Sequence, residues 1–175
     1  SNRTGSNTMY NQLTEKDIKA MEAEIEERKL VIRPKLLEDV KEARAHGDLS
    51  ENFEYYAAKR EKNKNESRIR FLERMIKTAE VIPDDSAEDE IGMNNTVEVE
   101  FEEDGSIETY KIVTTMRGNS LEGLVSVEAP IGKALMGHKV GDRVYVQVND
   151  NYGYYLVVKK IENTEDDGSD KLRSF

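Results

Sequence analysis

Apolar side chains recur along the first part of the chain at Ile18, Met21, Ile25, Ile32, Leu36, Val40 and Ala43, with Lys29 in the one polar position of the series. The intervals run three, four and four, an 11-residue period close to that of a straight α-helix. Thr14, with Asp17 three residues on, forms a short capping-box pattern at its start. Pro34 falls inside this helix, removes one hydrogen bond and predicts a local bend. The period stops at His46-Gly47, where Gly47 suits a helix C-terminus. A second helical pattern follows through Leu49, Phe53, Tyr56 and Ala57, then Ile69, Leu72, Ile76 and Ala79, ending at Val81-Ile82-Pro83. Helices with so short a connection run antiparallel. They predict a hairpin roughly 40 Å long, with Gly47 to Asn52 at its tip. Between Lys59 and Arg68 the second helix is almost wholly polar, which fits either a solvated stalk or a probe inserted into a partner's cavity.

Beyond an acidic, turn-forming stretch at 83–95, read as a linker, the period becomes two. Val97, Val99 and Phe101 alternate with polar residues, Asp104-Gly105 offers a hairpin turn, and Ile107–Val113 reads as the return strand. A short strand at Gly123–Val127 precedes one or two helical turns at Ala129–Met136, with Pro130 near their start. Gly141-Asp142 introduces a strand through Val144, Val146 and Val148, and Tyr152–Ile161 supplies the last. The acidic segment from Asn163 reads as a frayed tail. The expectation is an α+β chain: a helical hairpin over 9–82, the linker, and a small, mostly antiparallel β domain with one short helix over 96–162. The segment SNRTGSNT ahead of Met9 reads as a cloning scar and is excluded from this argument.

Charge sharpens the division. Residues 14–80 carry sixteen Lys/Arg and sixteen Asp/Glu, whereas residues 81–175 carry nine and twenty, within a net charge of −10. The second half repels bare nucleic acid, whose binding depends on phosphate neutralisation, so a conventional DNA-binding protein is a poor fit. The chain has no cysteine and only two histidines, His46 and His138, which excludes disulfides and thiolate metal sites and disfavours a His-rich one. No apolar run approaches the roughly 18 residues of a membrane span, and a cytoplasmic protein is expected.

The stretch Ala43–Ile82, with GDLSEN followed by EYYAAK, closely resembles the hairpin of the bacterial transcript-cleavage and elongation factors of the GreA/GreB family. The stretch APIGKALMGHKVGDRV, Ala129–Val144, resembles the family's second signature, and LTEKDIKAMEAEIEERK and the IRP at Ile32–Pro34 also match. The resemblance covers essentially Met9 to Glu162. It implies an N-terminal antiparallel coiled coil and a C-terminal domain of FKBP-like fold. It also implies an accessory factor, not a free-standing enzyme, that enters the secondary channel of RNA polymerase and stimulates cleavage of backtracked RNA. A monomer is expected, with RNA polymerase and nascent RNA as partners and no membrane association. Glu22, Glu24, Glu26 and Glu27 on the first helix, with a neutral hairpin, lean toward the GreA-like subtype.

Matched residue by residue, the family's catalytic acidic pair falls on Asp48 and Glu51. Two carboxylates three residues apart at a helix entry can point to one side, and hard oxygen ligands suit Mg²⁺. Two such ligands alone hold it weakly, so the expected cofactor is a Mg²⁺ shared with the polymerase, with none bound stably by the isolated chain. The competing reading makes Asp48 the N-cap of the second helix and Glu51 its third residue. Arg44, Asn52, Tyr55, Lys59, Arg60, Lys62 and Lys64 are candidates for contact with RNA or the channel; Arg68 and Arg70 continue the same cationic run. Pairing at i,i+4 and solubility would use the same cations. Tyr56 shares with Tyr55 the choice between stacking on a base and packing on the first helix.

The resemblance assigns polymerase docking to the segment containing Ala129, Pro130 and Ile131. Here Ala129 stands where the family often has Ser, and NDNYGYYL at Asn149–Leu156 replaces a Gly-rich turn, with no function read for Tyr152, Tyr154 and Tyr155. Two other readings remain: a relative that occupies the channel without promoting cleavage, and a prolyl isomerase suggested by the FKBP-like fold alone. Retention of Asp48 and Glu51 opposes the first, and the absence of Trp opposes the second.

Overall fold

The computed structural model describes residues 12–47, 52–85 and 87–174, with the side chain of Ser120 left out. The chain divides into two compact units, one of Ile18–Ala79 and one of Glu80–Ser174 together with the residues up to Asp17. The α+β class expected from the sequence holds.

In the helical unit, α1 (Glu15–Glu27) passes through a π-helical turn (Arg28–Ile32) into α2 (Arg33–Arg44), and α3 (Phe53–Lys77) returns. The Arg33 N–H bonds to the Arg28 carbonyl, five residues back. This wider turn lies directly ahead of Pro34, which lacks an N–H and whose ring crowds the carbonyl four residues earlier. The bend expected at Pro34 is thus absorbed as a π-turn. Every position of the predicted inner stripe, from Ile18 through Lys29 to Ala43, is buried or half-buried, while Leu30 and Val31 face solvent. Cross-helix pairs fix the antiparallel register. Glu24 meets Arg68, Arg33 meets Glu66 through two hydrogen bonds of 2.9 and 2.8 Å, and Lys29 meets Glu73 at 2.9 Å. Arg28 donates to Asn65 at 2.9 Å, and Asn65 donates back to the Arg28 carbonyl at 3.3 Å. The polar middle of the hairpin is therefore cross-linked, with Asn65 itself buried.

Two expectations for the second helix are corrected. It ends at Lys77, not at Pro83, because Glu80–Val81 forms a short strand, β2, paired in parallel with β1 (Gln12–Leu13). Its first apolar residues do not join the packing stripe: Phe53 is 84% exposed and Tyr56 46%.

The other unit is built on a five-stranded sheet in the order β5-β4-β3-β7-β6, formed by β3 (Thr96–Phe101), β4 (Ile107–Val113), β5 (Leu124–Ser126), β6 (Arg143–Asn149) and β7 (Tyr152–Glu162). Within this sheet β4 and β5 pair in parallel and the other neighbours antiparallel. The period-two positions Val97, Val99, Val144, Val146, Leu156 and Val158 form the core with Ile112, Val127 and Leu135. The short helix α4 (Pro130–Leu135) packs closely on the end of β5: a Cβ at Gly132 would lie 2.0 Å from the Ser126 carbonyl oxygen. The tyrosines of β7 are partly surface and partly packing, with Tyr155 4.9 Å from Tyr145 and Tyr154 5.5 Å from Phe101, ring centre to ring centre.

The linker and tail are also corrected. Ile91 and Met93, inside the stretch read as a linker, are buried in the core, spaced two apart as on a strand. The tail is held by hydrogen bonds instead of fraying. Thr164 donates to the Asn94 carbonyl, Lys111 pairs with Asp170 at 2.7 Å, and the Arg173 N–H reaches the Met116 carbonyl. Arg117 organises this side of the unit, pairing with Asp17 at 2.8 Å and Asp166 at 3.5 Å while donating to the Asp170 carbonyl. Asp17 also receives the Thr14 N–H and the Thr114 hydroxyl, and Thr14 returns the capping bond to the Asp17 N–H.

Candidate RNA and polymerase interface

The tip of the hairpin is closed by Asn52. Its side-chain carbonyl accepts the Tyr55 N–H at 3.0 Å, making it the N-cap of α3. Its amide donates to the Ala43 carbonyl at the end of α2, at 2.6 Å. Four residues, 48–51, lie outside the described structure, and the two predicted catalytic carboxylates, Asp48 and Glu51, are among them. The N-cap of α3, the place the competing reading gives to Asp48, is held by Asn52. Asp and Asn side chains can both accept from a backbone N–H, but only Asn offers an acceptor to α3 and a donor to α2 from one side chain. Asn52, expected as a contact residue, has its side chain engaged within the hairpin.

The remaining tip residues group by face. Arg44 sits with its guanidinium carbon 5.5 Å from the centre of the Tyr55 ring, and the Lys59 ammonium lies 6.0 Å from it. A hydrogen bond from Arg44, with the positive charge of Lys59, holds the Tyr55 hydroxyl below its ordinary pKa. Tyr55 and Tyr56 meet edge to face at 5.3 Å. His46 and Glu54 approach to 3.2 Å across the tip.

Among the cations, Lys59, Arg60 and Lys64 are exposed and Lys62 is half-buried; Lys64 has Glu61 at 3.5 Å. Arg68 does not belong with them. Its side chain is 9% exposed and holds Glu24 through hydrogen bonds of 2.8 and 3.2 Å. The basic run thus splits into exposed cations and Arg68, which turns inward and ties the two helices together. Nothing in the second helix alone distinguishes Arg68, because its acidic partner Glu24 lies on the first.

The residues assigned to docking come together where β5 turns into α4. Ala129 is the N-cap residue, extended in backbone and without a side-chain cap; Pro130 is the exposed first residue of α4; Ile131 is half-buried against the core. Behind them the Thr115 hydroxyl donates to Glu128 at 2.8 Å. Burial and the nearby charge of Glu80 outweigh that bond and raise the Glu128 pKa. No group of three or more His, Cys, Asp or Glu among the described residues could hold a metal ion, and no described helix is long and apolar enough to cross a membrane.

Comparison with known proteins agrees over most of the chain. The family described as "Transcription elongation factor, N-terminal" matches residues 11–81, and the one described as "Transcription elongation factor, GreA/GreB, C-term" matches 86–163. Transcription elongation factor GreA of Streptococcus thermophilus is 42% identical over 147 residues, spanning 83% of this chain and 91% of that protein. The GreA of Macrococcus caseolyticus is 40% identical over 150 residues, spanning 86% and 94%. Among solved structures, the GreA factor homolog 1 (Gfh1) protein of Thermus thermophilus is 26% identical and spans 87% of this chain and 98% of its own, with a TM-score of 0.40.

Proposed function

The chain belongs to the GreA/GreB family of transcription elongation factors, and on that premise we propose that it acts on RNA polymerase, entering the secondary channel by its hairpin to stimulate cleavage of backtracked RNA. The observation that carries this reading is the cap. Asn52 caps α3 and is tied to the Ala43 carbonyl of α2, so the two helices are joined at the point of the chain where the sequence carries Asp48 and Glu51.

Asp48 and Glu51 offer a hard-oxygen pair, the donor type Mg²⁺ takes, and too few ligands to hold the ion without a second protein. Together with the polymerase they would hold a Mg²⁺, which when bound supplies a polarised water and stabilises the charge that develops on the phosphate. The chain's other residues bind and orient. Lys59, Arg60 and Lys64 are exposed on α3 and Lys62 is half-buried beside them, and their charge fits the phosphates of an extruded RNA strand. Arg44 and Lys59 hold Tyr55 against the hairpin. In the other unit, Pro130 presents an exposed, conformationally fixed contact for the polymerase rim.

The test is to add the protein to a stalled, backtracked elongation complex and measure release of RNA 3′ fragments. Release well above the polymerase's own rate supports the reading. Binding with no added cleavage would instead make the chain a channel-occupying regulator.

A further inference from the structure

The helical period places Phe53 and Tyr56 on the packing stripe of the hairpin, yet the structure turns both outward, Phe53 with 84% of its surface exposed and Tyr56 with 46%. We propose that Phe53, supported by Tyr56, is a stacking platform for a base of single-stranded RNA, continued as a phosphate track by Arg60 and Lys64. The inference deepens the RNA-directed reading of the hairpin given above and rests on it.

The four residues fall at intervals of three, four and four, so they share one face of α3. With Ala57, Asn63 and Ser67, which lie between their rows, they make a strip in which every residue is exposed and none is acidic. Glu54 and Glu66 lie on other sides of the helix, and Glu61 borders the strip, its carboxylate 3.5 Å from the Lys64 ammonium. The inward side is already complete, since Asn65, Ile69, Leu72 and Met75 are buried. Rotating Phe53 inward is therefore not what its neighbours on the helix ask for.

Phe53 is also the first residue of α3, directly after the Asn52 cap and two residues from Glu51. It is the described aromatic of the helix that stands nearest in sequence to the acidic segment. An exposed aromatic ring that runs into a cationic strip, with Arg60 and Lys64 on it and Glu61 at its border, is complementary to a chain of flat faces joined by phosphates. Every base has such a face, so stacking of this kind tolerates any sequence. An apolar pocket in a protein partner would satisfy Phe53 but gives no role to Arg60 and Lys64 on the same line.

The test uses a backtracked elongation complex whose RNA carries 5-iodouracil at the 3′ end, irradiated in chelator so that no RNA is cleaved. The expected crosslink maps to the peptide containing Phe53 and Tyr56. Phe53→Ala lowers its yield at least tenfold, Phe53→Trp restores it, and Phe53→Leu does not. Because Phe53 packs against nothing in the hairpin core, circular dichroism should show the variants equally helical. A wild-type yield from Phe53→Ala, or full rescue by Phe53→Leu, overturns the proposal; the second result assigns the residue to an apolar pocket of the polymerase. Mg²⁺ added to parallel samples scores cleavage separately. Cleavage without a Phe53-dependent crosslink sinks this inference alone, and a Phe53-dependent crosslink without cleavage sinks the cleavage reading alone.

Discussion

Asn52 and Ala43 close the hairpin: the side-chain amide of the first lies 2.6 Å from the carbonyl oxygen of the second, while the same side chain caps α3 at the Tyr55 N–H. Two helix ends that would each leave backbone groups unsatisfied are served by one residue. Asn52→Ala removes both bonds. The cap alone is worth about 1 kcal/mol, so thermal melting followed at the helical signal should shift downward. Asn52→Asp keeps the acceptor for Tyr55 and loses the donor to Ala43, and should fall between the two. Cleavage stimulation should follow the same order, with polymerase binding little changed.

Acid should loosen the helical unit for a definable reason. The hydrogen bonds from Arg33 hold the Glu66 carboxyl below its ordinary value of 4.5. Burial pulls Glu24 upward, but hydrogen bonds from Arg68 and Arg28 outweigh it and leave that carboxyl lowered from 4.5 as well. A carboxylate with a depressed folded-state pKa contributes stability that is complete above the unfolded value and disappears as pH falls through the folded one. Helix melting temperature should therefore drop as pH falls below 4.5. Glu66→Gln should be less stable at neutral pH and show a shallower acid slope. Hairpin stability that rises on acidification through this range contradicts the assignment.

Asp17 and Arg117 form a buried pair, with side chains 2% and 7% exposed. Removing one partner leaves the other charged and enclosed, at a cost of roughly 3–5 kcal/mol. Arg117→Met should also release the tail, because Asp166 and the Asp170 carbonyl share that guanidinium. Denaturant unfolding measures the first effect, and amide exchange at residues 164–173 measures the second.

Ala129 occupies an N-cap position with φ −74° and ψ 157° and provides no side-chain cap for α4. Its backbone already suits a capping residue, so Ala129→Ser should stabilise the unit by about 0.5–2 kcal/mol. Gly132→Ala, three residues on in the same helix, should do the reverse by pressing on Ser126.

Much of this arrangement is legible in the amino-acid order where one element carries its own signal. The strands alternate with period two, the inner stripe of α1 and α2 repeats at three, four and four, and Thr14 and Asp17 cap each other as their spacing predicts. What the order does not reveal depends on a partner far along the chain. Arg68 resembles Lys64 until Glu24 is brought opposite it. Asn52 and Asp48 are equally good caps by composition, and the Ala43 carbonyl separates them. Ile91 and Met93 are hidden by the acidic residues around them, and Phe53 counts toward the wrong face because apolar character alone does not say which way a residue at a helix start will turn.

The role of Asp48 and Glu51 is tested most directly by cleavage in backtracked elongation complexes with Asp48→Asn and Glu51→Gln, measured beside polymerase affinity for each. The account predicts that either change lowers stimulated cleavage by at least a hundredfold, about 2.7 kcal/mol of barrier, while affinity stays within about twofold of wild type. Cleavage at the wild-type rate by both variants would contradict it.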